Sequence, residues 1–344
     1  MNLKKKLKIL ENEMNLQSDF YKPTPFWREI NREFFRIFSK SNFKNFRSEK
    51  LSNNFFVPLY NNLREPNINK INILIKKKNF SNKISNYLRD FINGDQQALS
   101  DYRVFKATDD VTVKPYINFF SESNNFKPLE QFNFDKKVFS KSSLNYLLAL
   151  SIFKKVSKKF NPKIILEIGG GFGTLGEIFF KSGKNYKYIN LDLPPLNLLA
   201  ENYLKKCFGQ KNVTDSFLIR NQKTIEIKRL KKISSLCNWQ IKNLKGKIDL
   251  FVNLISFQEM EPYIVKNYLN KVIRLNPKFI LMRNLREGKQ LKKKGKIGVK
   301  RATKKKDYIK FLKKNYKLIF SSVKVYGFET FDKYNSELLI FKKK

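Results

Sequence analysis

Four carboxylates and a run of glycines are the residues with chemistry to offer. Glu167, Gly169, Gly171 and Gly173 alternate in Glu167-Ile168-Gly169-Gly170-Gly171-Phe172-Gly173-Thr174-Leu175-Gly176. Glycine tolerates positive φ and carries no Cβ, so such a turn lets the backbone come close to a ligand. Asp192 follows roughly 20 residues on, at the end of the next apolar run, where a carboxylate can accept hydrogen bonds from both ribose hydroxyls of a nucleoside. Further along, the apolar run Asp249–Ile255 leads straight into Ser256-Phe257-Gln258-Glu259-Met260-Glu261-Pro262. The chain has no histidine. Proton abstraction therefore falls to Asp, Glu, Lys, Tyr or a metal-bound group, with Glu259 the first candidate and Glu261 the second.

These groups can meet only if strands alternate with helices. Ile164–Ile168 is short, apolar and rich in β-branched residues, as a strand buried on both faces of a parallel sheet should be. Thr174 is expected to N-cap the helix through Glu177, Ile178 and Phe179. Further strands are predicted at Tyr188–Asp192, around Ser216–Ile219, at Asp249–Ile255 and at Phe279–Arg283, with helices at Leu196–Phe208, near Ile227–Leu236 and at Tyr263–Leu275. Leu193-Pro194-Pro195 turns the chain into the first of these helices. A basic loop from Arg286 to Lys306 and a helix to Lys314 precede two closing strands, near Lys317–Tyr326 and Glu337–Phe341, that form an antiparallel hairpin. The candidate residues then fall at the carboxyl ends of strands, where open α/β sheets bind ligands.

Two cofactor classes fit the glycines. Gly171-Phe172-Gly173-Thr174-Leu175-Gly176 matches the G-x-G-x-x-G dinucleotide pattern, but there the first glycine should close the strand directly, and here Gly169 and Gly170 intervene. The frame Glu167-x-Gly169-x-Gly171-x-Gly173 resembles instead the acidic-first motif of S-adenosylmethionine sites in class I methyltransferases. It places Glu167 where a carboxylate can serve the cationic methionine end. We prefer this frame; a nicotinamide site and a turn that only packs helix on strand are the alternatives.

From Ser140 to Lys344 the order of elements resembles the seven-stranded class I methyltransferase fold, an α/β Rossmann-like sheet closed by an antiparallel hairpin. More narrowly, Glu167 to Gly176, Leu191-Asp192-Leu193-Pro194-Pro195 and Asn253-Leu254-Ile255-Ser256-Phe257-Gln258-Glu259-Met260 look like the signatures of a family of sugar O-methyltransferases from bacterial surface-polysaccharide loci. The third is the specific one. The resemblance implies S-adenosylmethionine as cofactor, with Glu167, Gly169, Gly171, Gly173, Thr174, Asp192, Leu193 and Asn253 around it. It implies methyl transfer to a sugar hydroxyl of a nucleotide sugar or a lipid-linked polysaccharide, with Ser256, Gln258, Tyr263 and Arg283 on the acceptor. A divalent metal on vicinal hydroxyls is conceivable, though no spacing demands one. An RNA 2′-O-methyltransferase and a non-catalytic basic binding module are the competing readings. Asn253-Leu254-Ile255-Ser256 is not the Asn/Asp-Pro-Pro-aromatic turn usual in enzymes that methylate base amino groups.

With 344 residues the chain can hold one large domain or two. The expected division is a mostly helical cap over residues 1–139 and a methyltransferase domain over 140–344. Leu3, Leu7, Leu10 and Met14 mark a basic amphipathic helix, expected to pack on the domain, with peripheral membrane association as the alternative. Phe26, Ile30, Phe34 and Phe38 mark another helix, and a third is expected near Ser81–Phe91. Asp101, Tyr102, Arg103, Asp109 and Asp110 could line a substrate pocket. The helix that opens the second domain, Ser140–Phe160, starts behind serine caps and leads into the glycine strand. Two cysteines, Cys207 and Cys237, argue against a disulfide framework. No apolar run is long enough to span a bilayer and the N-terminus lacks a signal-peptide core, so a cytoplasmic location is expected. The net charge of +42 would suit a polyanion partner. Yet the lysines are spread along the whole chain together with much Asn, Ile and Phe, as coding bias alone would arrange.

Overall fold

The computed structural model describes residues 1–60, 65–78, 80–183, 185–323, 328–329 and 334–344. Its main sheet contains β1 (Ile164–Ile168), β2 (Lys187–Asp192), β3 (Ile233–Cys237), β4 (Leu250–Leu254), β5 (Phe279–Leu285), β6 (Tyr316–Ser322) and β7 (Asn335–Lys343). They lie in the order β6-β7-β5-β4-β1-β2-β3. The five strands from β5 to β3 are parallel, and β7 runs antiparallel between β5 and β6. The fold is thus the α/β Rossmann-like seven-stranded sheet with its closing antiparallel hairpin expected from the sequence, preceded by a mostly helical region. Every residue of β3, β4 and β5 is buried, which is why Leu250–Val252 and Phe279–Met282 read as apolar runs rather than alternating ones.

The third strand is where the sequence expectation fails. Ser216–Ile219 is not a strand, and Ile227–Leu236 is not a helix; the chain makes one short 3₁₀ turn at Ile227–Arg229 and then enters β3. Ser234 and Ser235 interrupt the apolar signal of this strand. Both are nevertheless fully buried, because Ser234 pairs with the Thr214 hydroxyl at 2.8 Å and the Asn190 amide donates to Ser235 at 3.2 Å. Buried hydroxyls are tolerated when they find such partners.

Ahead of the sheet stand α1 (Leu3–Asn15), α2 (Arg28–Ser41), α3 (Lys50–Phe55), α4 (Glu65–Lys77), α5 (Asn82–Asn93) and α6 (Asp95–Thr108), then a hairpin of Phe132–Phe134 and Lys137–Phe139. The amphipathic face of α1 is used inside the protein: Leu7, Leu10 and Met14 are buried, and the ion pairs Lys6–Asp215 and Arg220–Glu13 flank it. Helix α2 buries Ile30, Phe34 and Phe38, and Ser81 caps α5. The chain from α2 to α3 is anchored by Arg47, whose buried guanidinium donates to Glu122 Oε1 and to the Ser123 carbonyl, each at 2.6 Å. Glu122 also accepts from Ser143 at the start of α7 (Lys141–Val156), so one carboxylate ties the two halves together. A continuous core runs from Leu7 to Phe341. Among the described residues no helix is long and apolar enough to cross a membrane.

Candidate active site

The cleft lies at the carboxyl ends of β1, β2, β4 and β5, and its floor is the glycine turn. Gly169, Gly171 and Gly173 all take positive φ. Gly169 N–H donates to the Leu191 carbonyl at 2.8 Å, Gly170 N–H to Asn190 Oδ1 at 3.1 Å and Gly171 N–H to Asp192 Oδ2 at 3.0 Å. A Cβ on Gly170 would stand 2.4 Å from Glu167 Oε2, and one on Gly169 would stand 2.2 Å from Ser256 Oγ. These contacts are shorter than side chains can make, so the turn is clamped from below by its own polar neighbours. The helix α8 (Thr174–Lys181) that follows has Gly173 at its N-cap, with φ 96°. Thr174 is therefore the first helical residue rather than the cap, because the chain enters the helix through a left-handed conformation that glycine adopts at least cost.

Glu167 lies under the turn and does not form part of the cleft wall. It is fully buried, and its two oxygens accept from Tyr146 at 2.6 Å and Tyr188 at 2.5 Å. Burial lifts its carboxyl to about 7, against the pull of the two tyrosine hydrogen bonds. Asp192 does face the cleft. Besides Gly171, it accepts from Leu193 N–H at 2.8 Å, and burial raises it to about 7 as well.

Across the cleft floor, Asn253 holds the end of β4. Its amide donates to the Ile168 carbonyl and to Ser256 Oγ, and its oxygen accepts from Asn284 at 3.0 Å. Gln258 does similar work for β5, accepting from Leu285 N–H at 2.8 Å. Both sit behind the wall; Ser256 is in it. Between them Ile255 takes φ 79° and ψ −38°, a region that β-branched residues rarely enter and that costs about 1–3 kcal/mol. This strained turn carries the chain from β4 to Glu259, which faces the cleft. Glu259 Oε2 accepts from the Trp27 indole at 3.0 Å, Oε1 lies 3.8 Å from Lys289, and burial raises the carboxyl to about 7, with Lys289 and Trp27 opposing. Arg283, at the end of β5, also reaches the cleft and donates to Asn145 Oδ1 at 3.1 Å.

The structure thus brings Gly169, Gly171, Thr174, Asp192, Leu193, Ser256, Glu259 and Arg283 to one cleft. Glu167, Gly173, Asn253 and Gln258 brace it. Glu261 and Tyr263 line a second cavity beside it. The N-terminal acids stand elsewhere: Asp101 accepts from Tyr60, Asp109 pairs with Lys154 at 2.5 Å, and Tyr102 donates to Asp135. In their place the N-terminal region supplies Thr24, Trp27, Phe55 and Phe56, with Phe56 Cβ 3.2 Å from where a Cβ on Gly171 would be. Helix α7 adds Asn145 and Tyr146. No motif marks these residues in the sequence, since their only shared property is the surface they meet. Among the described residues no group of three or more Cys, Asp or Glu is placed to hold a metal ion.

No protein-family model matches the chain, and no curated protein matches it. Among solved structures it is similar to magnesium protoporphyrin IX methyltransferase from Synechocystis PCC 6803 with bound S-adenosylhomocysteine, at 12% identity over 71% of this chain and 100% of that one, TM-score 0.41. It is also similar to an S-adenosylmethionine-dependent methyltransferase from Clostridium acetobutylicum ATCC 824 (16% identity, 57% and 89% covered, TM-score 0.38). A third is a protein from Pyrococcus horikoshii OT3 (11% identity, 57% and 88% covered, TM-score 0.40). These are likenesses of chain trace, and the function argued below rests on this chain's own residues.

Proposed function

We propose that the protein is an S-adenosylmethionine-dependent O-methyltransferase acting on a sugar hydroxyl. The observation that carries this reading is the pairing, in one cleft, of a glycine turn clamped against Asp192 with a second buried carboxyl, Glu259, held near neutral pH. The amides of Gly169, Gly170 and Gly171 are already taken by Leu191, Asn190 and Asp192, and Glu167 lies directly beneath. Such a turn offers little to a pyrophosphate, which binds through free backbone N–H groups. It suits a cationic nucleoside, which supports the methyltransferase frame over the dinucleotide one.

Asp192 would accept from the ribose hydroxyls, while Gly169 and Gly171 let the backbone approach and Leu193 lines the cleft beside them. Thr174 begins the helix behind them. Bound there, the cofactor supplies a methyl group on a sulfonium for in-line displacement. The chain's own task is to hold the acceptor oxygen in line and to take its proton. Glu259 is the group in the cleft suited to the second task, because a base titrating near 7 is both available and strong enough at neutral pH. Trp27 and Lys289 fix its two oxygens. Arg283 and Ser256 would hold the acceptor. The test is incubation with methyl-labelled S-adenosylmethionine against separate fractions of polysaccharide, nucleotide sugars and RNA. Label should enter a sugar fraction; label in RNA alone would overturn the assignment.

A further inference from the structure

A second cavity, of about 700 Å³, adjoins the cleft, and its size is within the range of small-molecule sites. Lys22, Thr24 and Ile264 line both, and the Thr24 hydroxyl donates to the Glu259 backbone carbonyl at 2.9 Å. A molecule in the outer cavity therefore abuts the residue proposed as the base.

Two features say what such a molecule carries. Glu261 and Asn31 line the cavity and are almost fully buried, at 3% and 1% exposure. Yet Glu261 Oε2 and Asn31 Oδ1 have no hydrogen-bond partner, although the other oxygen of Glu261 accepts from Lys300 N–H at 3.1 Å. Buried acceptors left unmade are costly, and these two call for donors, such as hydroxyls. The rim is cationic. Lys22 pairs with Asp19 and Arg32 with Glu29, while Arg28, Lys300 and Arg301 hold no ion pair among the described residues. Against these five cations the lining sets three carboxylates, Glu11, Asp19 and Glu261, so it keeps a positive excess. A neutral sugar would satisfy only the oxygens and inorganic phosphate only the cations.

We propose that this cavity seats a phosphorylated sugar, its hydroxyls donating to Glu261 and Asn31 and its phosphate held by Arg28, Lys300 and Arg301. The inference rests on the methyl-transfer reading and names its acceptor class. Phosphate on the rim fixes one end of the acceptor while the sugar reaches past Thr24 toward Glu259. A nucleoside diphosphate sugar and a lipid-diphosphate-linked glycan share this chemistry.

The test is titration calorimetry on the full chain with a panel of uridine diphosphate hexoses, with vesicles carrying polyprenyl diphosphate hexose, and with free hexose and inorganic phosphate. One of the two phosphorylated classes should bind at least tenfold tighter than free hexose or phosphate, and which of them does so identifies the source. Arg28→Ala combined with Arg301→Ala, both at exposed positions, should weaken that binding tenfold or more. Glu261→Gln should weaken the phosphorylated sugar severalfold and leave inorganic phosphate unchanged. If neither phosphorylated class outbinds hexose and phosphate, or if the folded double variant binds as well as the parent, the seat is wrong. S-adenosylmethionine is titrated in the same samples. Its failure to bind where sugar phosphate does would remove the methyltransferase reading and leave the seat; the reverse result would remove the seat alone.

Discussion

On the sheet side of the cleft the backbone is tied down atom by atom: three successive glycine amides have named acceptors, Glu167, Asn190 and Asn253 hold the strand ends from behind, and Ser256 in the wall donates to the Ile168 carbonyl. On the N-terminal side the wall is made of rings, Trp27, Phe55 and Phe56, and it meets the sheet side through the Trp27 indole and Thr24 hydroxyl on Glu259 and the Asn238 amide on the Tyr21 carbonyl. The first wall has little freedom to change residue type, because added atoms meet oxygens at well under 3 Å. The second accepts any side chain of suitable shape. A cofactor common to many acceptors calls for the first kind of wall and a particular acceptor for the second.

Four variants break or sharpen this contrast, in order of effect. Glu259→Gln removes the proposed base and should slow methyl transfer on the order of 10²- to 10⁴-fold while keeping cofactor affinity; unimpaired single-turnover rates would move the base elsewhere. Asp192→Asn should weaken S-adenosylmethionine binding roughly ten- to a hundredfold, the usual cost of losing a hydrogen bond to a charged group. Because burial holds Asp192 to about 7, its carboxyl is protonated below that pH and ionised above it. The ionised form accepts hydroxyls better, so parental affinity should rise as pH climbs through about 7 and then level off. Calorimetry across this range should find the rise blunted in the Asn variant, and an undiminished rise would exclude Asp192 as its source.

Gly170→Ala forces a methyl against Glu167 and Asn190 and should destabilise the fold by about 1–3 kcal/mol in urea titrations, with loss of cofactor binding. A neutral outcome would mean that the clamp is loose. The smallest effect belongs to the ring wall. Trp27→Phe keeps an aromatic surface and removes the N–H that holds Glu259 down. The acidic limb of the rate profile should then move up by about one pH unit, with the maximal rate nearly preserved; a limb that stays in place would show that the indole does not set the Glu259 proton affinity.

Most of the sheet was legible in the residues. Ile164–Ile168 and Leu196–Phe208 stand where the apolar pattern put them, since each buries a continuous face that leaves a trace in sequence; the strand expected near Lys317–Tyr326 is seen as Tyr316–Ser322, paired antiparallel with Asn335–Lys343, and its end from residue 324 lies outside the described residues. Strand β3 was not legible, because Ser234 and Ser235 look polar until Thr214 and Asn190 are brought beside them. The same holds at the glycine turn: Thr174 has the right chemistry for a cap, but the left-handed approach of the chain gave that place to Gly173.

Residue order alone determined the glycine turn, the carboxylates at the strand ends and the absence of histidine, which leaves Asp, Glu, Lys, Tyr or a metal-bound group to take a proton. Only the tertiary structure decided that Glu167 braces the turn from beneath, that Glu259 and Glu261 face different cavities, and that Trp27 and Phe56 close the cleft. The physical reason is range. A turn or a strand end is set by neighbours a few residues away, whereas burial, hydrogen-bond partners and proton affinity are set by groups more than 200 positions apart, as Trp27 and Glu259 are.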